Sequence, residues 1–222
     1  MVKPKRPETT LFLNLSVDGR ITSHDSDSFD PDKLWKDQPG IRGILQQFYE
    51  FQDPNLSVLT TGVVMKNVGV NTREGSPRRE QLTLVVLDPD ADLTPEGVAY
   101  LSQNIKQLYL VCLKNHTIFT TPEVKVIAYP AEIDLNDLFT KLYRQYHLKH
   151  LLIHSIAPLN ADLLDAGLID HLSVVVSPLL VGGHGTPALQ DTDLFAVREL
   201  KLVSAQTFSQ NFINLRYNLV NR

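Results

Sequence analysis

The stretch Leu151–Ser177 reads LLIHSIAPLNADLLDAGLIDHLSVVVS, and its alternation of patterns decides the fold class. Leu151–Ile153 is short and apolar, as in a buried strand, and Leu172–Ser177 is a second such run, rich in valine. Between them, Asn160–Ala166 has helical spacing and ends at Gly167, a residue type that commonly follows a helix. A strand, a helix and a strand in close succession are typical of a largely parallel sheet with crossover helices.

The same alternation continues through most of the chain. Helices are predicted after the Thr94-Pro95 pair, over Asp134–His147 and from Ile41 to Phe51. Further strands are predicted at Leu11–Val17, Leu56–Thr60, Leu82–Leu87, Leu108–Leu113, Val124–Tyr129, Leu200–Gln206 and Phe212–Val220. Because no helix separates the last two strands, we predict an α/β fold. It has a mostly parallel central sheet, helices on both faces and an antiparallel C-terminal edge.

Composition limits the class of protein. The 222 residues are 43% hydrophobic and 21% charged, which fits one globular domain over residues 1–222. The net charge of −4 argues against a nucleic-acid partner, which usually meets a basic stripe. The single cysteine, Cys112, allows no intrachain disulfide and lies in an apolar run typical of a core thiol. No apolar run approaches the ~20 residues of a membrane span, so we expect a cytoplasmic protein.

Familiar cofactor and metal motifs are missing from the sequence. There is no Gly-x-Gly-x-x-Gly fingerprint, phosphate-binding P-loop, nucleophile elbow or zinc-ligand spacing, and no metal site is predicted. In an open α/β sheet, ligands bind beyond the carboxyl ends of the strands. We therefore look for a site in the loops that follow strands: Ser16–Ile21, Thr60–Asn71, His154–Asn160 and Val181–Thr186.

Three segments in this sequence suit a phosphate-bearing ligand. In the turn after Ile153, backbone N–H groups at the start of a helix favour an anion, although a plain strand-to-helix connection has the same pattern. The glycines between Gly182 and Gly185 let the backbone approach a ligand, or they form an ordinary glycine-rich hairpin. The basic cluster of Arg73, Arg78 and Arg79 is either a phosphate contact or a solvated loop.

The chain resembles a known family at this point. Asn160–Leu172, continuing through Pro178 to Gly183, is similar to the C-terminal motif of the riboflavin-biosynthesis pyrimidine reductases, the reductase domain of RibD proteins. Leu15–Ile21 (LSVDGRI) resembles the opening of that family, and Leu82–Pro89 resembles its Val-Val-Leu-Asp strand. The resemblance covers nearly the whole chain in the same order. It implies the dihydrofolate-reductase-like fold.

The resemblance also implies an activity. These oxidoreductases use NADPH to reduce a phosphoribosylamino-pyrimidine, 5-amino-6-(5-phosphoribosylamino)uracil, in riboflavin biosynthesis, and they form homodimers. The resemblance makes Asp18 the catalytic candidate, for proton delivery or substrate contact, with holding of the Asp-Gly turn as its alternative role. Ser16, Ser28 and His154 are the expected substrate contacts. The expected cofactor contacts are Thr61, Gly62, Ser155, Ile156, Ala157, Pro158, Leu159, Gly182 and Gly183.

Two motifs of the family are altered in this chain. The family's Glu-Gly-Gly turn is replaced by His154-Ser155-Ile156, and a β-branched isoleucine is poorly suited to a glycine conformation. The family's Thr-x-x-x-Asp has no polar counterpart within Val64–Gly69. Two hypotheses therefore stay open: a reductase with an altered substrate or cofactor pose, and a non-catalytic relative that keeps the fold. Reduction of dihydrofolate is a weaker third hypothesis, because Asn14 in the first strand is the only polar partner found for a pteridine.

Overall fold

In a computed structural model of the chain, the described residues are 6–21, 57–74, 80–114, 123–182, 198–208 and 211–220. The chain divides into two compact units, Met1–Pro7 with Asp53–Ser155, and Glu8–Gln52 with Ile156–Arg222. The predicted helix at 41–51 and the candidate residues Ser28 and Gly183 lie outside the described residues.

The described elements alternate along the chain largely as predicted. In order they are β1 (Glu8–Ser16), β2 (Ser57–Thr61), α1 (Gly62–Asn67), a 3₁₀ turn (Val70–Thr72), β3 (Glu80–Leu87), α2 (Pro95–Asn104), β4 (Ile105–Leu113), β5 (Val124–Tyr129), α3 (Leu135–Arg144), β6 (His150–Ile153), α4 (Ala157–Asp165), β7 (His171–Ser177), β8 (Leu200–Phe208) and β9 (Phe212–Leu219).

The first unit is built on five parallel strands in the order β5-β4-β3-β2-β6. On one face, Leu84 and Leu108 pack into an apolar cluster with Val98 of α2. Side chains alternate across a strand, so Tyr109 points to the other face. There its ring meets that of Tyr146, just beyond α3, with centroids 4.8 Å apart. Helices therefore cover both faces of this unit, as predicted.

Helix ends in the first unit follow their capping residues. Thr94 caps α2 by accepting a hydrogen bond from Gly97 N at 3.2 Å, with Pro95 in the first turn as predicted. Asp134 caps α3 in the same way through Asp137 N at 3.0 Å. That helix ends at Arg144, earlier than predicted, and His147 beyond it has a left-handed φ of 58°.

Two helices differ from the sequence-based prediction. The segment after β2 is the short helix α1 where a loop was expected, because its Val-Val pair is a weak helix signal. The predicted helix from Asn160 begins three residues earlier, at Ala157. Pro158 is tolerated there because the N–H it lacks would have no partner within the helix in the first turn.

The second unit supplies the predicted antiparallel edge. Its strands run in the order β1-β7-β9-β8. β1 pairs with β7 in parallel, whereas β9 is antiparallel to both β7 and β8. A parallel pair that continues into an antiparallel hairpin confirms the predicted topology for the C-terminal strands.

Cys112 is buried in β4, and burial raises the pKa of its thiol, which fits the predicted core role.

Among the described residues, no helix has the length and apolar character needed to cross a membrane. Within the same residues, no three metal-ligating side chains cluster together.

Candidate functional site

The turn after β1 is held by the side chain of Ser16. This serine is 2% exposed, and its hydroxyl donates to Asp18 Oδ1 at 2.7 Å while accepting from Arg20 N at 3.0 Å. Gly19 has a φ of 78°, the left-handed conformation that glycine adopts without strain. The Asp-Gly pair therefore forms the tight turn that the sequence predicted.

The carboxylate of Asp18 also reaches the segment after β7. Its Oδ1 accepts from Val181 N at 3.0 Å, and its Oδ2 accepts from Gly182 N at 2.7 Å. Beside it, Val17 N donates to Leu179 O at 2.8 Å. Ser16, Asp18 and Gly182, all predicted site residues, are thus brought together in the second unit.

These hydrogen bonds set the charge of Asp18. The Val181 N–H, the Ser16 hydroxyl and the Gly182 N–H all stabilise the ionised form and hold the pKa of Asp18 well below its ordinary value. The carboxylate is therefore ionised at neutral pH and is no source of protons. Of the roles considered for Asp18, its geometry supports the holding of the Asp-Gly turn.

A set of polar side chains lines one face of the second unit's sheet. The strand register places Ser16 beside Ser177, and Ser177 Oγ donates to Asn14 Oδ1 at 2.8 Å. On the same face, Ser173 Oγ and Asn214 Oδ1 are buried, and neither has a hydrogen-bond partner among the described residues. Three of these five residues, Ser173, Ser177 and Asn214, were not singled out by the sequence analysis. The signal for the first two, a pair of serines four residues apart in a valine-rich strand, is a weak one.

In the first unit, the end of β2 is packed against a buried carboxylate. Thr61 Oγ1 accepts from Val64 N at 3.3 Å and so caps α1. A Cβ on Gly62 would lie 2.0 Å from Asp88 Oδ1. Asp88 is 4% exposed and accepts from Asp92 N at 2.8 Å. The missing side chain of Gly62 thus makes room for Asp88.

A second glycine of this unit makes room in the same way. Asn71 donates through Nδ2 to Asp92 O at 2.8 Å and accepts at Oδ1 from Thr94 N at 3.0 Å. A Cβ on Gly97 would lie 2.2 Å from Asn71 Oδ1. Sequence reasoning gave no role to Asn71 or Asp88. The only available signal was the Asp88-Pro89 pair that ends a buried strand.

The basic cluster is described only at Arg73. Its guanidinium is exposed and donates to Val68 O at 3.1 Å, which ties it to the loop before it. Arg78 and Arg79 lie outside the described residues.

The turn at 154–159 has an ordinary backbone. His154 N donates to Leu59 O at 2.9 Å and continues the pairing of β6 with β2. Ile156 occupies the N-cap of α4 with a φ of −86° and a ψ of 159°. Extended backbone of this kind needs no glycine, so the expected conformational difficulty at Ile156 does not arise. No side chain caps α4, and its first turn holds no acidic residue.

The candidate residues are divided between the two units. Thr61, Gly62, His154 and Ser155 belong to the first unit. The second unit holds Ser16, Asp18, Ile156, Ala157, Pro158, Leu159 and Gly182.

Comparisons with known proteins agree with this architecture. The chain matches the RibD C-terminal domain family over residues 7–213. No curated protein sequence gives a significant match to it.

Solved structures provide further similarity. A deaminase/5-amino-6-(5-phosphoribosylamino)uracil reductase of Thermotoga maritima superposes with a TM-score of 0.70 at 18% identity, over 98% of this chain and 58% of that one. The chain thus spans less than two thirds of that protein. A riboflavin biosynthesis reductase of Saccharomyces cerevisiae gives 0.65 at 14% identity, over 99% and 93% of the two chains.

Dihydrofolate reductase of Enterococcus faecalis, solved in complex with NADP(H), gives a TM-score of 0.50 at 12% identity, over 96% of this chain and 97% of that one. The fold is therefore dihydrofolate-reductase-like, as predicted. From the match over residues 7–213, this chain belongs to the RibD C-terminal domain family.

Proposed function

We propose that this chain is an NADPH-dependent reductase of a phosphoribosylamino-pyrimidine, with 5-amino-6-(5-phosphoribosylamino)uracil as the expected substrate. The observation that carries the proposal is the family match over residues 7–213, which includes the strand-end segments of both units. Fold alone does not fix function, so the proposal also depends on how the chain's residues suit the ligands.

The start of α4 suits the pyrophosphate of a dinucleotide. Its first turn carries no acidic side chain, and no side chain of the described residues caps it, so the helix itself supplies no anion at this end. Peptide N–H groups and the helix dipole favour an anion at such a position. Ile156, Ala157 and Leu159 are the proposed contacts, and Pro158, which lacks an N–H, contributes only through its ring.

The segment after β7 suits a ligand that approaches the backbone. A Cβ added to Gly182 would meet no described atom within 4 Å, and the φ of this glycine is 62°. This glycine therefore leaves open space beside a backbone fixed by Asp18. Gly62 differs, because Asp88 already fills the space beside it. We keep Thr61 and Gly62 as proposed cofactor contacts through their backbone.

The cofactor and the protein would have different parts in the proposed reaction. When bound, NADPH would supply a hydride, which carries two electrons to the carbon of the substrate's ribosyl imine. A proton would join the nitrogen of the same imine. Asp18 is ionised and cannot supply that proton, so we assign proton delivery to water. Ser16, Ser28 and His154 remain the proposed substrate contacts.

A second candidate function is supported by a specific observation. The family's Glu-Gly-Gly turn is His154-Ser155-Ile156 here, and the Ile156 side chain stands at the N-cap of α4. A branched side chain at this point takes up space that a glycine leaves free. A relative that has kept the fold and lost the cofactor would have this feature.

Ligand titration and turnover distinguish the two functions. For a reductase, NADPH fluorescence should change on binding with a dissociation constant in the micromolar range, the ordinary scale for enzyme substrates. NADPH oxidation should then depend on the phosphoribosylamino-pyrimidine and not occur with dihydrofolate. Absence of binding up to millimolar NADPH, with no oxidation, would favour the non-catalytic relative. Parallel titration with NADH measures the preference between the two cofactors.

We also propose that the chain forms a homodimer through one face of β8 and β9. The face is defined by Leu200, Leu202, Ile213, Leu215 and Tyr217, which alternation and register place on the same side. Leu202 is 54% exposed and Ile213 39% exposed. The opposite face of β9 is buried at Phe212 and Asn214. Clustered exposed apolar side chains of this kind are typical of an interface, and a two-fold contact covers both copies at once.

A further inference from the structure

We propose that Asp18 is a positioning residue: its carboxylate fixes the segment Pro178–Gly182 against the turn after β1 and so sets the backbone that a cofactor meets at Gly182. The fixing of the segment follows from contacts within the second unit alone. Only its consequence for the cofactor rests on the proposed function.

Both oxygens of the carboxylate are engaged by the chain itself. Oδ1 accepts from Ser16 Oγ at 2.7 Å and from Val181 N at 3.0 Å. Oδ2 accepts from Gly182 N at 2.7 Å. Because hydrogen bonds to an ionised group are roughly twice as strong as neutral ones, Asp18 is well suited to join the two loops.

Among the described residues, few contacts besides those of Asp18 hold the end of this segment. Leu180 is 80% exposed, and a Cβ on Gly182 would meet none of the described atoms within 4 Å. Leu179 is held by backbone bonds, since its N–H donates to Ser177 O at 2.7 Å and its carbonyl accepts from Val17. The next two N–H groups with a described acceptor, those of Val181 and Gly182, both donate to Asp18.

The low pKa of Asp18 agrees with this role. The carboxylate stays ionised through the neutral range and keeps accepting from both amides. A residue that delivers protons would instead need a pKa near the working pH.

The test replaces Asp18 with asparagine, which has the same shape. One of the two side-chain atoms becomes an NH₂ donor, so either Val181 N–H or Gly182 N–H loses its acceptor. In the full chain without ligand, NMR-detected hydrogen exchange should accelerate at least about tenfold in D18N at one or both of Val181 and Gly182. The matched control is D90N, the same change at an exposed aspartate in the loop after β3, which should leave these two amides unchanged.

The functional arm measures cofactor affinity and turnover. D18N should weaken NADPH binding about tenfold, or ~1.4 kcal/mol. The kcat of D18N at saturating NADPH should stay within about twofold of the kcat of the unchanged chain. S16A removes one donor from Asp18 and leaves both amide bonds, so its exchange rates should fall between those of D18N and the unchanged chain.

Two outcomes would overturn the inference. One is unchanged exchange at Val181 and Gly182 in D18N, whatever happens to activity. The other is faster exchange with a loss in kcat that saturating NADPH does not restore, which would make Asp18 a catalytic residue. If the unchanged chain binds no NADPH, the proposed function fails, and the exchange arm still decides whether Asp18 fixes the segment.

Discussion

At the residue scale, the first unit depends on glycines that accept a neighbouring side chain. Gly62 faces Asp88, and Gly97 faces Asn71. No positive φ is recorded at either glycine, so space and not backbone conformation requires glycine there. The two polar side chains then satisfy the backbone amides of Asp92, Leu93 and Thr94 in the loop before α2. Two glycines thus leave room for the side chains that hydrogen-bond the loop before α2.

We expect Gly62→Ala to destabilise the chain by about 2 kcal/mol, within the range for overpacked sites. The added Cβ would lie 2.0 Å from Asp88 Oδ1 and 2.6 Å from its Cγ, so the carboxylate must move. Its displacement also breaks the bonds to Asp92 N and Leu93 N. Urea denaturation followed by circular dichroism measures the change.

The Asp88→Ala background provides the control for this prediction. With no carboxylate to displace, Gly62→Ala should cost much less there, so the two changes should not be additive. Equal costs of Gly62→Ala in both backgrounds would show that the contact with Asp88 does not determine the effect.

At the scale of elements, the start of α4 differs from that of the other long helices. α2 and α3 each have a side-chain cap and an acidic residue in the first turn, Glu96 and Asp137, whereas α4 has neither. In α3 the acidic residue is further engaged, because Lys141 and Tyr129 both hydrogen-bond Asp137 and lower the pKa of its carboxyl. An anionic ligand at the start of α4 would supply the negative charge that acidic first-turn residues supply in α2 and α3.

Pro158→Asp tests the anion site at α4. Pro158 is exposed in the first turn, where a carboxylate should stabilise the helix by about 0.3–1 kcal/mol through the helix dipole. The same charge should repel a pyrophosphate and weaken NADPH binding at least about tenfold. Thermal unfolding and NADPH titration should therefore change in opposite directions.

Pro158→Asn is the neutral control, since it removes the ring without adding charge. It should bind NADPH within about twofold of the original chain. Equal weakening in both variants would assign the effect to the loss of the ring, and unchanged affinity in Pro158→Asp would move the pyrophosphate away from α4.

At the scale of the whole molecule, Leu202→Lys should convert the proposed homodimer into monomers. A charge in the centre of an apolar contact must be desolvated, and we expect the dimer dissociation constant to rise on the order of 100-fold. Size-exclusion chromatography with light scattering measures the change. Gln206→Lys is the control: it adds the same charge to the same strand on the other face, opposite Asn214. A monomeric original chain would contradict the proposal.

The organisation of the chain is also a whole-molecule property. The family match spans both compact units, and the chain covers 58% of the two-activity Thermotoga protein. The single domain over residues 1–222 and the cytoplasmic location stay predictions.

The positions of most of the described strands along the chain were predictable from the sequence, and so was a mostly parallel sheet with an antiparallel end. Alternating apolar runs and helical spacing also predicted the Thr94-Pro95 helix start, because such patterns arise locally and are read within a few residues. Asp18-Gly19 was predicted as a turn for the same reason. The resemblance in 15–21 and 160–183 gave the family.

The contacts of the site residues could not be predicted from the sequence, because they depend on how distant segments pack. Asp18 and Gly182 are 164 positions apart, and no local pattern reveals that one accepts from the other. The same holds for Gly62 and Asp88, whose contact depends on the parallel pairing of β2 with β3. Contacts between distant residues are set by how strands pair and by which side chains fill the space between loops. That information appears only once the chain is folded.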